Sequence, residues 1–341
     1  MKVYIYILTL FVLLLLSCNT EESKVKKSMY YWKSEMDFDR SDADFFRETG
    51  IETLYVRFFD LGWDEAHGAI PTAEFKTRNL YLKDLNVIPV IYIINETLEK
   101  TDYNDIPVLA GRMFEKIERM YSDYCKGGAI DEIQLDCDWT ESTQSKYFTL
   151  IKEIRSKSEK LIISATIRLH QIKYSKKTGI PPADKGVLMY YNMGQIKSIK
   201  ESNSILNNET GKQYMSEIRS YPLPLALALP AYSWGIWFRN NEFKGLVHNI
   251  NEKTIGTLSF LEKTFKNYYK VSTDTVYEGI YFRNGDIIRL ESITTEELEN
   301  AAEICSPVFE KNEKEIIIYS YTPENSKLIN EKDILDIYSM F

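Results

Sequence analysis

The chain has 341 residues, 44% of them hydrophobic, with a formal net charge of −8 and a pI near 5.2. That length supports a large core, arranged as two domains or as one α/β barrel. The acidic balance, without a basic cluster, argues against nucleic acid as a partner.

The N-terminus combines Lys2 with an apolar run over 3–16, too short for a comfortable membrane span. The run ends in "LLSC", Leu15 to Cys18, which resembles a bacterial lipobox with Cys18 as the lipidated residue. A plain signal peptide or short anchor is the alternative. We therefore expect a signal peptide over 1–17, a lipidated Cys18 with a flexible tether over 18–27, and a single domain over 28–341. The resemblance implies a cell-envelope protein held by lipid at the outer membrane, on its periplasmic or surface face. Glu21–Glu22 resembles surface-export signals of some Gram-negative lipoproteins. The other cysteines, Cys125, Cys137 and Cys305, are scattered without zinc spacing, and Cys137 reads as a core residue.

Beyond the tether, β-rich runs at 29–34, 52–60, 87–95, 132–139, 161–169, 186–193, 223–230 and 315–322 alternate with helical candidates. The helical candidates are 40–49, 72–85, 106–125, 142–158, 194–206, 243–267 and 294–311. Eight strands separated by helices predict an α/β fold, a (β/α)8 TIM barrel. An open doubly wound sheet is the rival, but no Gly-rich phosphate loop follows a strand. Asn284-Gly285, between "IYFR" and "DIIRL", predicts a small β-hairpin inserted between strands 7 and 8.

The acidic strand "DEIQLDCDW", Asp131 to Trp139, carries the chemistry. Alternation sends Ile133, Leu135 and Cys137 toward the helices, and Gln134, Asp136 and Asp138 toward the barrel axis. The fifth strand repeats this: Ser164, Thr166, Arg168 and His170 point inward. Polar side chains where branched apolar residues normally pack indicate a site at the strands' C-terminal ends. Two adjacent carboxylates disfavour joint ionisation, giving the acid and the anion that glycoside cleavage uses. The plainer readings are that Asp136 and Asp138 pair with Arg168 or Arg57, or that Asp138 or Thr140 caps the next helix. Arg57 and Asp60 either line the same mouth or pair with each other. Glu141 reads as a first-turn helix residue. His67 and His248 read as surface residues. A calcium site at Asp131, Asp136 and Asp138 lacks the spaced ligands and turn glycine of calcium loops. No cofactor is called for.

On these residues the chain resembles family 18 glycoside hydrolases, the chitinase-like barrels, and lipoproteins of Bacteroidetes-type bacteria with such a barrel. The family's fourth-strand pattern is Asp-Gly-x-Asp-x-Asp-x-Glu. Asp131 and Asp136 match, Glu132 replaces the Gly, Gln134 replaces an Asp, and Asp138 stands where the family has its general-acid Glu. "MYYN", Met189 to Asn192, is similar to the family's Met-x-Tyr-Asp on the sixth strand, with Asn192 for the Asp. The resemblance implies that Asp138 protonates the leaving oxygen. It also implies that Asp136 orients a substrate acetamido group and that Tyr191 helps hold it. Gln134, Asn192, Arg168, His170 and Arg57 would position the sugar, with Trp234 beside Tyr232 and Trp237 as a stacking floor or as packing. The implied partner is a poly- or oligosaccharide, and the implied activity is O-glycosyl hydrolysis. The alternative is a catalytically silent glycan-binding lipoprotein, because the Asp138 carboxylate is one methylene shorter than Glu.

Overall fold

The computed structural model describes residues 25–77, 85–125, 129–248, 250–309, 314–322 and 329–341. Cys18 and the segment read as a leader lie outside the described residues. Among those residues, no helix is long and apolar enough to cross a membrane.

Eight parallel strands close on themselves. They are β1 (Lys26–Tyr31), β2 (Thr53–Asp64), β3 (Asn86–Ile93), β4 (Glu132–Cys137), β5 (Ile162–Arg168), β6 (Lys185–Met189), β7 (Leu225–Pro230) and β8 (Glu315–Tyr319). Each pairs with its sequence neighbour, except that β8 follows β7 across an insertion, and β1 pairs with both β2 and β8. All eight expected strands are present, and the ring is a (β/α)8 barrel. The first strand begins at Lys26, inside the range read as tether.

Helices pack outside the ring: α1 (Arg40–Thr49), α2 (Ile106–Tyr124), α3 (Gln144–Arg155), α4 (Thr295–Phe309) and α5 (Glu331–Ser339). Their sequences explain them. Asp39 caps α1 through a reciprocal capping box with Asp42, and Gly50 ends it in the left-handed conformation. In α2, Ile106, Leu109, Ala110, Met113, Ile117 and Met120 form one buried stripe at helical spacing.

Three expected helices are not found among the described residues. Residues 72–77 instead hold the end of a strand, Gly68–Thr72, that runs antiparallel to β2, and the two-residue strand Lys76–Thr77; 78–84 lie outside the described residues. Residues 194–206 form an irregular segment, and the helical turns of that crossover fall later, at Asn208–Lys212 and Met215–Arg219. Residues 243–267 hold two strands around one short helix, Glu252–Ile255.

That last difference belongs to the insertion between β7 and β8. It lies where expected but is more than a hairpin. Trp234–Arg239, Glu242–Val247, Leu261–Phe265, Tyr268–Val271 and Ile287–Glu291 build a five-stranded antiparallel sheet. Val247, Ile250, Ile255, Val271, Phe282, Ile288 and Leu290 form its own small core. A separate hairpin pairs Thr275–Tyr277 with Ile280–Phe282 and turns at Glu278–Gly279, where φ is 50° and 74°. Both signs suit a tight primed turn. Asn284-Gly285 leads from that hairpin into Ile287–Glu291.

One close approach outside the ring prepares the site inside it. Tyr190 packs outward against Gly211, where an added Cβ would sit 1.9 Å from the phenol oxygen. Alternation then aims Tyr191 into the mouth. Gly211→Ala is expected to cost about 1–3 kcal/mol through overpacking, read as a lowered thermal midpoint.

Candidate functional site at the barrel mouth

The inward rows are ordered in layers. At the bottom, Lys185 of β6 contacts Glu132 of β4 at 2.9 Å and Glu315 of β8 at 2.6 Å. Ser28 and Tyr55 donate to Glu315 at 2.8 and 3.0 Å. Lys185, Glu132, Tyr55 and Glu315 meet between strands that are not neighbours in the ring, so these side chains join across the interior, while Ser28 reaches Glu315 from the adjacent β1. One layer up, Tyr30 of β1 donates to Gln134 at 2.6 Å. Gln134 is fully buried and belongs to the packed interior below the mouth.

The next layer holds Asp136, 7% exposed, accepting from Thr166 of β5 at 2.6 Å. Burial pushes its carboxyl up to about 7, aided by the neighbouring Asp138 charge and opposed by Thr166, Arg168 and Arg57. Asp138, one step higher and half-exposed, contacts Arg168 Nε at 2.5 Å. The angle of that contact makes no hydrogen bond, so the two groups meet as charges. The expected inward rows of β4 and β5 are therefore real through Arg168, and Asp138 pairs with Arg168 as the plainer reading had it. Neither Asp138 nor Thr140 caps α3, which begins at Gln144 after Thr143.

Arg57 and Asp60 pair with each other through two contacts, Nε to Oδ1 at 2.6 Å and Nη2 to Oδ2. The Arg57 guanidinium also lies over the Trp32 ring at 5.6 Å. The pairing reading holds for both residues, and Arg57 also lines the mouth, whereas Asp60 is not among the lining residues.

At the same end of the barrel opens a cavity of about 410 Å³, walled by Trp32, Arg57, Asn192, Tyr232, Trp234 and Tyr319, with His248, Ile250 and Asn251 from the insertion. Asp136 and Asp138 do not line it, but the Asp136 charge is felt by Arg57 and Tyr319 of its wall. Its aromatic faces interlock. Tyr191 stacks on Tyr319 at 5.1 Å between ring centroids, and Trp234 meets Tyr232 edge-on at 5.2 Å. The Tyr232 hydroxyl donates to the Asn192 side-chain oxygen at 2.7 Å. Asn192 has φ of 54°, the left-handed region that Asn tolerates better than most residues. A larger cavity of about 520 Å³ lies against Phe38, Phe46, Ile51 and Leu85 beside α1, with only Arg47 and Glu52 charged, so the carboxylate chemistry is elsewhere.

Two expected members leave the constellation. His170 does not continue the β5 row, because β5 stops at Arg168 and Leu169–Lys173 turns as a short helix. It is exposed there, though still close enough to feel the charges of Arg168 and Asp138, and partial burial and Arg168 lower its pKa. Trp237 faces the opposite side of its strand from Trp234. Its indole donates to Asp286 at 2.9 Å and packs on Phe282, inside the insertion. Glu141 is exposed ahead of α3 and pairs with Lys177 at 3.2 Å. His67 and His248 are both exposed, as read; His67 lies beside Asp64, and His248 also lines the cavity. Among the described residues, no group of three or more His, Cys, Asp or Glu is placed to hold a metal ion.

Trp32 and Tyr319 were not among the sequence candidates. The signal for both was present: Ser28, Tyr30 and Trp32 form one inward row, and Glu315, Ile317 and Tyr319 another.

No family model matches the chain, and no curated protein matches it in sequence. Solved structures do. The spore cortex-lytic enzyme SleL of Bacillus cereus superposes with a TM-score of 0.55 at 13% identity, over 91% of this chain and 74% of that one. A chitinase of Chromobacterium violaceum gives 0.55 at 9% identity, over 91% and 99%. SleL of Bacillus megaterium gives 0.54 at 11% identity, over 92% and 75%. The likeness is one of fold. This chain shares the (β/α)8 TIM barrel with them.

Proposed function

We propose that the mouth binds a poly- or oligosaccharide, that Asp138 serves as the acid of glycoside cleavage, and that Asp136 beneath it orients the substrate's acetamido group. The observation that carries this reading is an aromatic-walled cavity whose Arg57 and Tyr319 adjoin Asp136, at the barrel end where Asp136 and Asp138 lie. Tyr and Trp faces suit the apolar faces of sugar rings, and Asn192 and Arg57 supply polar contacts. The fold shared with a chitinase supports it as well.

Asp138 is the more exposed carboxylate and is the one that reaches a glycosidic oxygen. Asp136, buried below it, keeps a proton close to neutral pH. In the cleavage step the Asp138 carboxyl proton passes to the leaving oxygen as the anomeric C–O bond breaks. On an N-acetylated sugar, the substrate's own carbonyl oxygen forms the new bond to the anomeric carbon. Water then opens that intermediate and returns a proton to Asp138. Gln134 supports the layer beneath, and Tyr191 faces the acetamido group.

A second reading, glycan binding without cleavage, is favoured by the Asp138–Arg168 contact. Asp138 must give up that partner to carry a proton. A turnover and binding screen on chitin oligosaccharides and other polysaccharides, with the parent and Asp138→Asn, separates the two. Cleavage predicts a loss of roughly 10²–10⁴-fold in the variant. Unchanged turnover in Asp138→Asn would remove Asp138 as the acid. Binding in both proteins with turnover in neither selects the second reading.

The same proposal places the protein at the cell envelope, tethered through a lipid on Cys18. The support is the "LLSC" run alone. Cys18→Ser is expected to move the protein from the membrane fraction to the soluble one and to abolish labelling by a fatty-acid analogue.

A further inference from the structure

The insertion carries a charged pair that the proposed chemistry does not use. Glu291 and Arg289, on the strand Ile287–Glu291, are 1% and 0% exposed. Arg289 Nε donates to Glu291 at 2.9 Å, and its other nitrogens reach the backbone oxygens of Ser198 at 2.6 Å and Ile196 at 3.4 Å. The second Glu291 oxygen accepts from two elements of the mouth at once. The Trp234 indole donates to it at 2.9 Å and the Ser204 hydroxyl at 2.6 Å.

Ser204 in turn fixes the segment that carries Asn192. The Gly194 amide donates to the Ser204 oxygen at 3.1 Å, and the Asn192 amide to the Ile205 oxygen at 2.6 Å. Gly194 approaches so closely that an added Cβ would lie 2.7 Å from the Ser204 Cα. The segment 194–206 has no regular secondary structure to hold it. Tyr268, Asn267 and Asn203 pin its middle, and the Ser204 and Ile205 bonds fix its two ends together beside Asn192.

Stability is a poor reason for keeping such a pair. A buried ion pair loses much of its attraction to desolvation, and apolar replacements of both partners are often neutral or stabilising. Position is a better one, because a carboxylate with two directed donors fixes both donors in space.

We infer that Glu291 is a positioning residue for the glycan site: it orients Trp234 directly and Asn192 through Ser204, while Arg289 neutralises it and anchors 196–198. The inference rests on the glycan-binding reading, yet its geometric half is testable without a ligand.

The test is hydrogen exchange on the full chain, comparing the parent with the double variant Arg289→Met/Glu291→Leu and with Ser204→Ala. Amides of 192–205 are expected to exchange about tenfold faster or more in both, as when one charge-assisted bond is lost. Amides of β1 to β8 should keep their parental rates. Ser204→Ala retains the ion pair, so it decides the matter if the double variant fails to fold. Parental protection of 192–205 in Ser204→Ala overturns the inference. An equal rise across all barrel strands overturns it too, since the network would then be a general stabiliser. Binding of chitohexaose is the second readout. Ser204→Ala should weaken it about tenfold although Ser204 does not line the cavity. Unchanged affinity beside faster exchange overturns the assigned role in ligand binding. A parent that binds neither chitohexaose nor any other glycan of the screen counts against the glycan reading instead, and the exchange result still judges the geometry.

Discussion

Replacing Lys185 with Met is expected to destabilise the fold by about 3–5 kcal/mol, the usual cost of stranding a buried charge. Lys185 is 8% exposed and lies between Glu132 and Glu315, which are 7% and 1% exposed. Met fills the volume but leaves two carboxylates facing each other inside the barrel. The wild-type cluster also has a definite pH signature. Burial works against the Lys185 charge, but Glu132 and Glu315 outweigh it and raise its pKa. That stabilisation is complete below the ordinary lysine value of about 10.4 and disappears as pH rises through the higher folded value. For Glu315, burial would raise the pKa, yet Lys185 and Lys26 bring it below the ordinary value. Its contribution is present above about 4.3 and is lost as pH falls through the lower folded value. Urea unfolding of Lys185→Met at neutral pH and near pH 5 checks the account. The deficit should shrink at the lower pH, because Glu315 without Lys185 is left with burial favouring its protonated form. A deficit below about 1 kcal/mol, equal at both pH values, would mean that the cluster is not coupled as its distances imply.

Asp136→Asn is expected to act in the opposite direction, stabilising the protein above neutral pH. The Asp136 carboxyl is pushed up to about 7 by burial, against an ordinary value of about 3.9. A raised folded value means that the folded state holds its proton longer than the unfolded chain does. Wild-type stability from this group is full below about pH 4 and falls as pH climbs toward 7. Asn retains the acceptor for Thr166 and never ionises. Its advantage should therefore be small near pH 4 and should reach on the order of 2–4 kcal/mol by pH 8. Unfolding of both proteins at those two pH values and one between them gives the curve. A gap independent of pH would show that Asp136 does not titrate from its buried position. The same substitution bears on function, because a protein that tolerates loss of Asp136 with a gain in stability retains Asp136 for chemistry or binding.

Much of this molecule was legible in its residues. The eight β-rich runs correspond to β1 to β8, and the outward Ile133, Leu135 and Cys137 alternate with the inward Gln134 and Asp136 as read. Such features depend on a period of two along one strand, which is a local property of the chain. The same rule, applied further, separates Trp234 from Trp237, because residues three apart on a strand lie on opposite faces. It also yields Trp32 and Tyr319. The reading failed where local pattern does not choose a structure. Residues 243–267 have apolar spacing that suits a helix, yet Glu242–Val247 and Leu261–Phe265 form the two edge strands of the insertion's sheet, and Val247, Ile250 and Ile255 of this stretch enter its core. Residues 194–206 are held by Arg289 and Glu291, more than eighty positions away.

The sequence by itself determined the barrel, its strand order and the faces on which Asp136 and Asp138 lie, because pleat and hydrophobic period act between near neighbours. Only the tertiary structure decided which charges meet. Lys185 finds Glu315 across 130 residues of chain, and Arg168 finds Asp138 on the adjacent strand. It also decided the state of Asp136, since a carboxyl's hold on its proton depends on how much water the fold removes from around it.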